Sequence, residues 1–305
     1  MSGKLVESGS LLQSTYDIEL KLGSGGSSEV YLAWYKRLGK YVIIKKTICH
    51  PSIPAQLYRN EVEALKNIKC VYLPQVIDFL VENGCSYIVL EYIEGESLDK
   101  FLKKRNRLSL SQLSKCFLQL ASTLAVLHRH DVCHRDIKPA NIILTPDENV
   151  RLIDFNSALV KGHDAGVISL SRIYASPEQY AFFQYCKAEK RKKAAIFAGA
   201  DVSHFASRKS KAGVVAESNS LNRSKFHNID WKLSDIYSLG ATIYHLFSEQ
   251  APLVAARKNV VFPMREAESE GVCSAVERCM KVNPSERFQS ADELVDRLQS
   301  LNDFI

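Results

Sequence analysis

The chain has 305 residues, with 46% hydrophobic residues, 24% charged residues and a formal net charge of +6. That balance belongs to a globular protein able to bury a core without covalent staples, and it excludes a disordered chain or a disulfide scaffold. The eight cysteines are scattered, with no CxxC pair and no metal-ligand spacing, so free thiols in a reducing, cytoplasmic setting are expected. No apolar run is read as approaching the ~20 residues of a membrane span, and no signal-peptide core follows Met1. Ten Lys/Arg against three acids fall within residues 180–229, more than the whole net charge. The body of the protein is therefore near neutral and no nucleic-acid partner is expected for it. An acidic partner suits the basic segment alone.

Residues 1–15 read as an N-terminal extension. Three strands follow: Tyr16–Leu22, then, beyond a Gly/Ser turn, Glu29–Trp34, and the apolar, β-branched Tyr41–Thr47. Pro54 opens a helical stretch to about Ile68, with Leu57, Glu61, Leu65 and Ile68 at helical spacing. Val76–Leu80 and Tyr87–Leu90 read as two more strands, which makes a small antiparallel sheet with one helix. From Leu98 the pattern turns helical. Ser109 and Gln112 form a capping box for a long helix to His128, and Ser290 with Glu293 forms another for a last helix ending near Leu301. Between them lie short strands at Ile142–Leu144 and Val150–Ile153 and an apolar helix at Asp235–Phe247. The assembly expected is α+β and two-lobed: an N-lobe over 16–90, a hinge over 91–95 and a C-lobe over 96–305. The basic segment 180–229 carries six serines with Gly199 and Gly213. It is expected to be a poorly ordered insertion with a short helix around Lys187–Phe197.

One motif outweighs the others: His134-Arg135-Asp136-Ile137-Lys138-Pro139-Ala140-Asn141. Ahead of it stand Gly23-Ser24-Gly25-Gly26-Ser27-Ser28-Glu29-Val30, Val42-Ile43-Ile44-Lys45 and Glu61. After it stand Asp154-Phe155-Asn156, Ser176-Pro177-Glu178, Asp235 in Asp-Ile-Tyr-Ser-Leu-Gly, and Arg287 in Asn-Pro-Ser-Glu-Arg. A lone Gly-rich turn, or a lone glutamate on a helix, carries little; the ordered set carries much more. From about Tyr16 to Leu301, apart from the insertion, it resembles the eukaryotic-like Ser/Thr protein kinase family in its bacterial flavour.

The resemblance implies a bilobal kinase fold that moves the γ-phosphoryl group of ATP to Ser/Thr hydroxyls of proteins, with autophosphorylation. Its cofactors would be ATP and Mg²⁺, with Mn²⁺ as a substitute. Leu22, Gly23, Ser24, Gly25 and Gly26 would close over the nucleotide, the glycines because they lack Cβ. Lys45 would bind the α- and β-phosphates as a point charge, held by Glu61, with Glu63 the competing candidate. Asp136 would orient the acceptor hydroxyl and take its proton, and Lys138 would reach the moving phosphoryl group, as in the Ser/Thr branch. Asn141 and Asp154 offer hard oxygens suited to Mg²⁺. Val30 and Ile43 would roof the adenine and Ile143 would floor it. Leu90 would close the back of the pocket, and the backbone of Glu91 and Ile93 would bond the adenine edge.

Glu178 and Arg287 are similar to a buried ion pair that anchors the activation segment. Arg135, Asp235 and His134 would be structural, and His128 and His130 would cap or pack a helix end. Within the activation segment, Ser169 is the candidate phosphate acceptor, Ser171 falls at the substrate-contacting position and Tyr174 is structural. The chain departs from the family at Ser28, which replaces a glycine, and at Ile43, which replaces an alanine and narrows the adenine roof. Asn156 replaces the glycine that lets the segment flip. Asn tolerates positive φ, so less flipping with intact metal binding by Asp154 is expected. A pseudokinase that binds nucleotide without turnover and a small-molecule kinase remain the alternatives. Delivery of the protein into a host cell is also open.

Overall fold

The computed structural model describes residues 11–25, 28–48, 60–161, 171–197, 229–252 and 269–302. The N-lobe is a five-stranded antiparallel sheet of β1 (Tyr16–Gly25), β2 (Ser28–Tyr35), β3 (Lys40–Ile48), β4 (Val76–Glu82) and β5 (Cys85–Glu91), in the order β1-β2-β3-β5-β4. Strand side chains alternate between faces, and that alternation divides the core in two. Val42 and Ile44 of β3 and Tyr87 and Val89 of β5 pack on the outer face with Tyr16, Tyr31 and Ala33. Ile88 and Leu90 point to the inner face and join the core of the other lobe. The outer face is closed by a helical turn, α1 (Leu11–Thr15), whose Leu12 is buried in that second core. Residues 11–15, read from sequence as extension, are therefore packed against the sheet. α2 (Asn60–Leu65) covers the inner face with Val62, Ala64 and Leu65. The start proposed for it at Pro54 lies outside the described residues.

The chain then passes through β6 (Glu96–Ser97) and α3 (Leu98–Lys103) into α4 (Leu110–Arg129). Ser109 caps α4 with the reciprocal box read from sequence, Gln112 N–H to Ser109 Oγ at 3.2 Å and Ser109 N–H to Gln112 Oε1 at 2.9 Å. Among the described residues α4 is the one helix long and apolar enough to cross a membrane. It instead forms the axis of the C-lobe core, through Leu113, Phe117, Leu120, Leu124 and Leu127. Two small sheets follow. One pairs β7 (Val132–Cys133) with β10 (Leu159–Val160); the other pairs β6, β8 (Ile142–Leu144) and β9 (Val150–Leu152). Behind them stand α5 (Pro177–Phe197), α6 (Trp231–Ser248), α7 (Glu270–Cys279) and α8 (Ala291–Asn302). At the start of α8, Glu293 N–H donates to Ser290 Oγ (3.0 Å), but the Glu293 carboxylate accepts from Gln289 N–H (2.7 Å), one residue earlier than a capping box requires.

The first part of the basic segment is helical where the short helix at Lys187–Phe197 is expected from sequence, but the helix begins ten residues earlier. α5 runs without a break from Pro177 at its first turn to Phe197. No Gly or Pro interrupts residues 178–197, and Phe182 packs edge-on against Trp231 of α6, with ring centroids 5.4 Å apart. The rest of the segment, 198–228, lies outside the described residues.

Gly240 shows why α6 tolerates a poor helix former. A Cβ there would lie 2.6 Å from Cys279 Cβ and 3.0 Å from Met280 Cγ, so α6 and α7 touch nearly backbone to backbone. In an isolated helix Gly240→Ala would gain about 1 kcal/mol. Here overpacking of ~1–3 kcal/mol opposes it. We expect Gly240→Ala to lower the thermal unfolding midpoint; a rise would mean that α7 shifts away freely.

Candidate active site

β3 and β5 run antiparallel with Lys45 opposite Ile88, which turns the Lys45 side chain to the inner face, toward α2. Its Nζ donates to Glu61 Oε1 (2.6 Å) and Oε2 (2.9 Å) and to Asp154 Oδ1 (3.2 Å). The Glu61 side chain has no solvent exposure, and its Oε1 also accepts the Phe155 N–H at 3.1 Å. Glu63, the competitor in the sequence, pairs locally with Lys66 at 2.5 Å. Burial by itself would lower the Lys45 pKa, but the Glu61 and Asp154 carboxylates outweigh it and leave the ammonium more firmly protonated than an ordinary lysine. Burial would likewise raise Asp154, and the Lys45 charge with its hydrogen bond holds it below the usual carboxylate range.

The loop between β7 and β8 brings the second group together. Asp136 Oδ2 accepts from Lys138 Nζ (2.8 Å) and Oδ1 accepts from Ser171 Oγ (2.7 Å), while Lys138 Nζ also donates to Ser171 Oγ (2.9 Å). Asn141 Nδ2 donates to the Asp136 carbonyl at 2.9 Å. His134 bridges this loop to the Asp154 segment. Its Nδ1 accepts the Asp136 N–H (3.2 Å) and its Nε2 donates to the Ile153 carbonyl (3.1 Å), which assigns the ring proton to Nε2.

A buried carboxylate holds that loop from below. Asp235 accepts the N–H groups of His134 and Arg135, each at 2.8 Å, and faces His128 Nε2 at 3.2 Å. Arg135 is thereby fixed at φ +62°, a left-handed conformation that costs a non-glycine residue about 1 kcal/mol, immediately before Asp136. Gln179 Nε2 takes the Arg135 carbonyl at 2.6 Å, and the guanidinium donates to the Ser157 carbonyl (2.7 Å) and lies 5.3 Å from the Trp231 ring centroid. Glu178 and Arg287 form the expected ion pair, bidentate at 2.6 and 3.0 Å, with the Arg287 side chain fully buried. His130 caps the end of its own helix through the Val126 carbonyl, whereas His128 reaches Asp235.

Of the nucleotide-pocket candidates, Val30, Ile43 and Leu90 lie on three adjacent strands, β2, β3 and β5. Ile43 lies opposite Leu90, and Val30 opposite Lys45. Gly95 sits at φ +143°, and a Cβ there would lie 2.2 Å from the Leu144 carbonyl and 2.8 Å from Ile143 Cγ2; only glycine lets the connection lie so close to β8. Glu91 is fixed by Arg151 Nη2 (2.9 Å), which also holds the Leu73 carbonyl at 3.2 Å. Leu22 is exposed, and Gly23, Ser24 and Gly25 lie on β1, with Gly25 paired to Ser28 at the hairpin tip. Ile93 and Ile143 are half-buried. Gly26 and Ser169 lie outside the described residues.

Asn156 differs from the sequence argument: it is not among the positive-φ residues, and Asp154, at φ +69°, takes the left-handed turn instead. The residue in place of glycine therefore carries no backbone penalty here. Gln179, Arg151 and Asn60 were not singled out from sequence. Each is a polar side chain spent on main-chain carbonyls far away in the chain, which leaves no local pattern.

The comparisons agree with this geometry. The protein kinase domain model matches residues 16–302. A probable serine/threonine-protein kinase of Clostridium acetobutylicum is 22% identical over 96% of this chain and 41% of its own length. One of Streptomyces coelicolor is 24% identical over 93% of the chain and 39% of its length. The maternal embryonic leucine zipper kinase of Danio rerio is 32% identical over 57% of the chain and 26% of its length. The chain thus spans about two fifths of the two bacterial relatives. With a kinase-domain match over nearly its whole length and the motif residues drawn into two hydrogen-bonded groups, around Lys45 and around Asp136, the chain belongs to the protein kinase family.

Proposed function

We propose that the chain transfers the γ-phosphoryl group of ATP to Ser/Thr hydroxyls of proteins, its own included. The observation that carries this reading is the Ser171 hydroxyl, which donates to Asp136 Oδ1 at 2.7 Å while accepting from Lys138 Nζ at 2.9 Å. An aliphatic alcohol already lies between a carboxylate and a cation, the two contacts an acceptor serine needs. In the proposed step the acceptor oxygen bonds to the γ-phosphorus as the bond from that phosphorus to the β–γ bridging oxygen breaks, and ADP leaves. Asp136 takes the hydroxyl proton, and Lys138 offsets charge on the moving group. Lys45, held extended by Glu61, binds the α- and β-phosphates.

The donor set fits a hard divalent ion. Asn141 spends its Nδ2 on the Asp136 carbonyl, so its oxygen is the atom left for a metal, and Asp154 is held ionised. Mg²⁺, or Mn²⁺ in its place, neutralises phosphate charge when bound. The base would stack between Val30 and Ile43 above and Ile143 below, with Leu90 behind. Because the Glu91 N–H is taken by the Gln75 carbonyl (2.9 Å), its adenine contact falls to the Glu91 carbonyl, and the Ile93 N–H makes the second. Asn156 no longer argues for a binding module without turnover, since Asp154 still reaches Lys45. Tyr174 keeps its structural reading: its hydroxyl bonds His245 Nδ1 at 2.7 Å. Ser169 and the serines of 198–228 are the proposed autophosphorylation acceptors. An acidic partner for the ten Lys/Arg of 180–229, and a cytoplasmic setting for the seven described free cysteines, complete the proposal.

The test is transfer of labelled phosphate from ATP to casein and to the protein itself, wild type beside Asp136→Asn. Loss of the base should slow transfer by about 10²–10⁴-fold without changing the fold; equal labelling by both would sink the reading. A second expectation concerns the roof. Ile43→Ala should tighten binding of bulky N6-substituted adenine analogues on the order of tenfold or more, read by competition against ATP. Unchanged competition would place Ile43 outside the base pocket.

A further inference from the structure

We propose that Asn60 is a positioning residue that locks the loop of the metal-binding aspartate to the helix carrying Glu61. This inference rests on the kinase reading of Lys45, Glu61 and Asp154. Asn60 is the first residue of α2 and is buried. Its Nδ2 donates to the Ala158 carbonyl at 2.7 Å and lies at 3.3 Å from the Asn156 carbonyl and 3.4 Å from the Phe155 carbonyl. The next residue, Glu61, accepts the Phe155 N–H at 3.1 Å. Two consecutive residues of one helix therefore grip the Phe155 residue by its N–H and its C=O. Asp154, one residue before that grip, stands in a left-handed conformation that persists only where its surroundings fix it.

The amide is held at a cost. Asn60 Oδ1 is buried with no hydrogen-bond partner among the described residues, so an apolar side chain would leave fewer orphaned atoms on the side chain itself. What an apolar residue cannot do is donate to the loop carbonyls. An aspartate of the same shape would set an acceptor against them. The chemistry needed at position 60 is a donor, and the element that it joins to the loop is the one that presents Glu61 to Lys45. Movement of α2 and rotation of Asp154 are thus tied into one event. The Asn156 carbonyl lies 3.3 Å from the same amide nitrogen, so the lock reaches the position where the family glycine is missing.

The test compares wild type with Asn60→Leu, Asn60→Asp and the milder Asn60→Gln, which keeps the amide but displaces it by one methylene. The first readout is the Mg²⁺ concentration that half-saturates ATP-dependent phosphate transfer. Loss of a group that orients a metal ligand should raise it by about 10–100-fold in Asn60→Leu and Asn60→Asp, and by less in Asn60→Gln. The second readout is amide hydrogen exchange over residues 154–161 in the nucleotide-free protein. Exchange there should quicken in every variant that folds, Asn60→Gln included. A lower unfolding midpoint with unchanged Mg²⁺ requirement and unchanged exchange would overturn the proposal and leave Asn60 a packing residue. Should the wild type transfer no phosphate, the kinase reading fails, and exchange over 154–161 still decides whether the lock exists.

Discussion

Glu61 is a carboxylate with no solvent exposure, and the arrangement of the cleft follows from the need to satisfy it. An ionised carboxyl taken out of water without partners is among the costliest groups a fold can carry. Here the two Lys45 contacts and the Phe155 N–H meet it. Those partners come from β3 and from the loop after β9, so one buried charge draws sheet, helix and C-lobe loop to a single point. The third contact of Lys45, on Asp154, then sets a second carboxylate, the proposed metal ligand, beside the same cation.

The C-lobe solves the same problem with main chain. Asp235 is fully buried and answered by two backbone N–H groups, which fixes the peptide before Asp136 in a conformation it would not otherwise hold. Arg287 is answered by Glu178 and by the carbonyls of Leu233, Val282 and Lys281. The first turn of α5 thus meets the Asp136 loop through Gln179 and the lobe core through Glu178. The helix that opens the basic segment is attached directly to the machinery that presents Asp136.

The lobes, most strands and the motif residues were legible in the sequence because each leaves a local mark: alternation in β3 and β5, a capping box at Ser109, eight residues in a row around Asp136. What was not legible depends on contacts between distant segments. Leu12, in α1, packs on the sheet because its outer face needs covering. Gly240 is glycine because Cys279 stands against it. The choice of Glu61 over Glu63 was favoured by spacing and is decided by which carboxylate faces Lys45. Asn156 was read through a glycine's freedom at that position, while the positive φ falls on Asp154.

The most direct test of this account is a double-mutant cycle between Lys45→Met and Glu61→Gln, read as kcat/KM for ATP. If Glu61 acts by holding Lys45, the double variant should lose little more than Lys45→Met alone, with a coupling of ~1–3 kcal/mol between the sites. Independent, additive losses would contradict it and would mean that the buried pair supports the fold without organising the site.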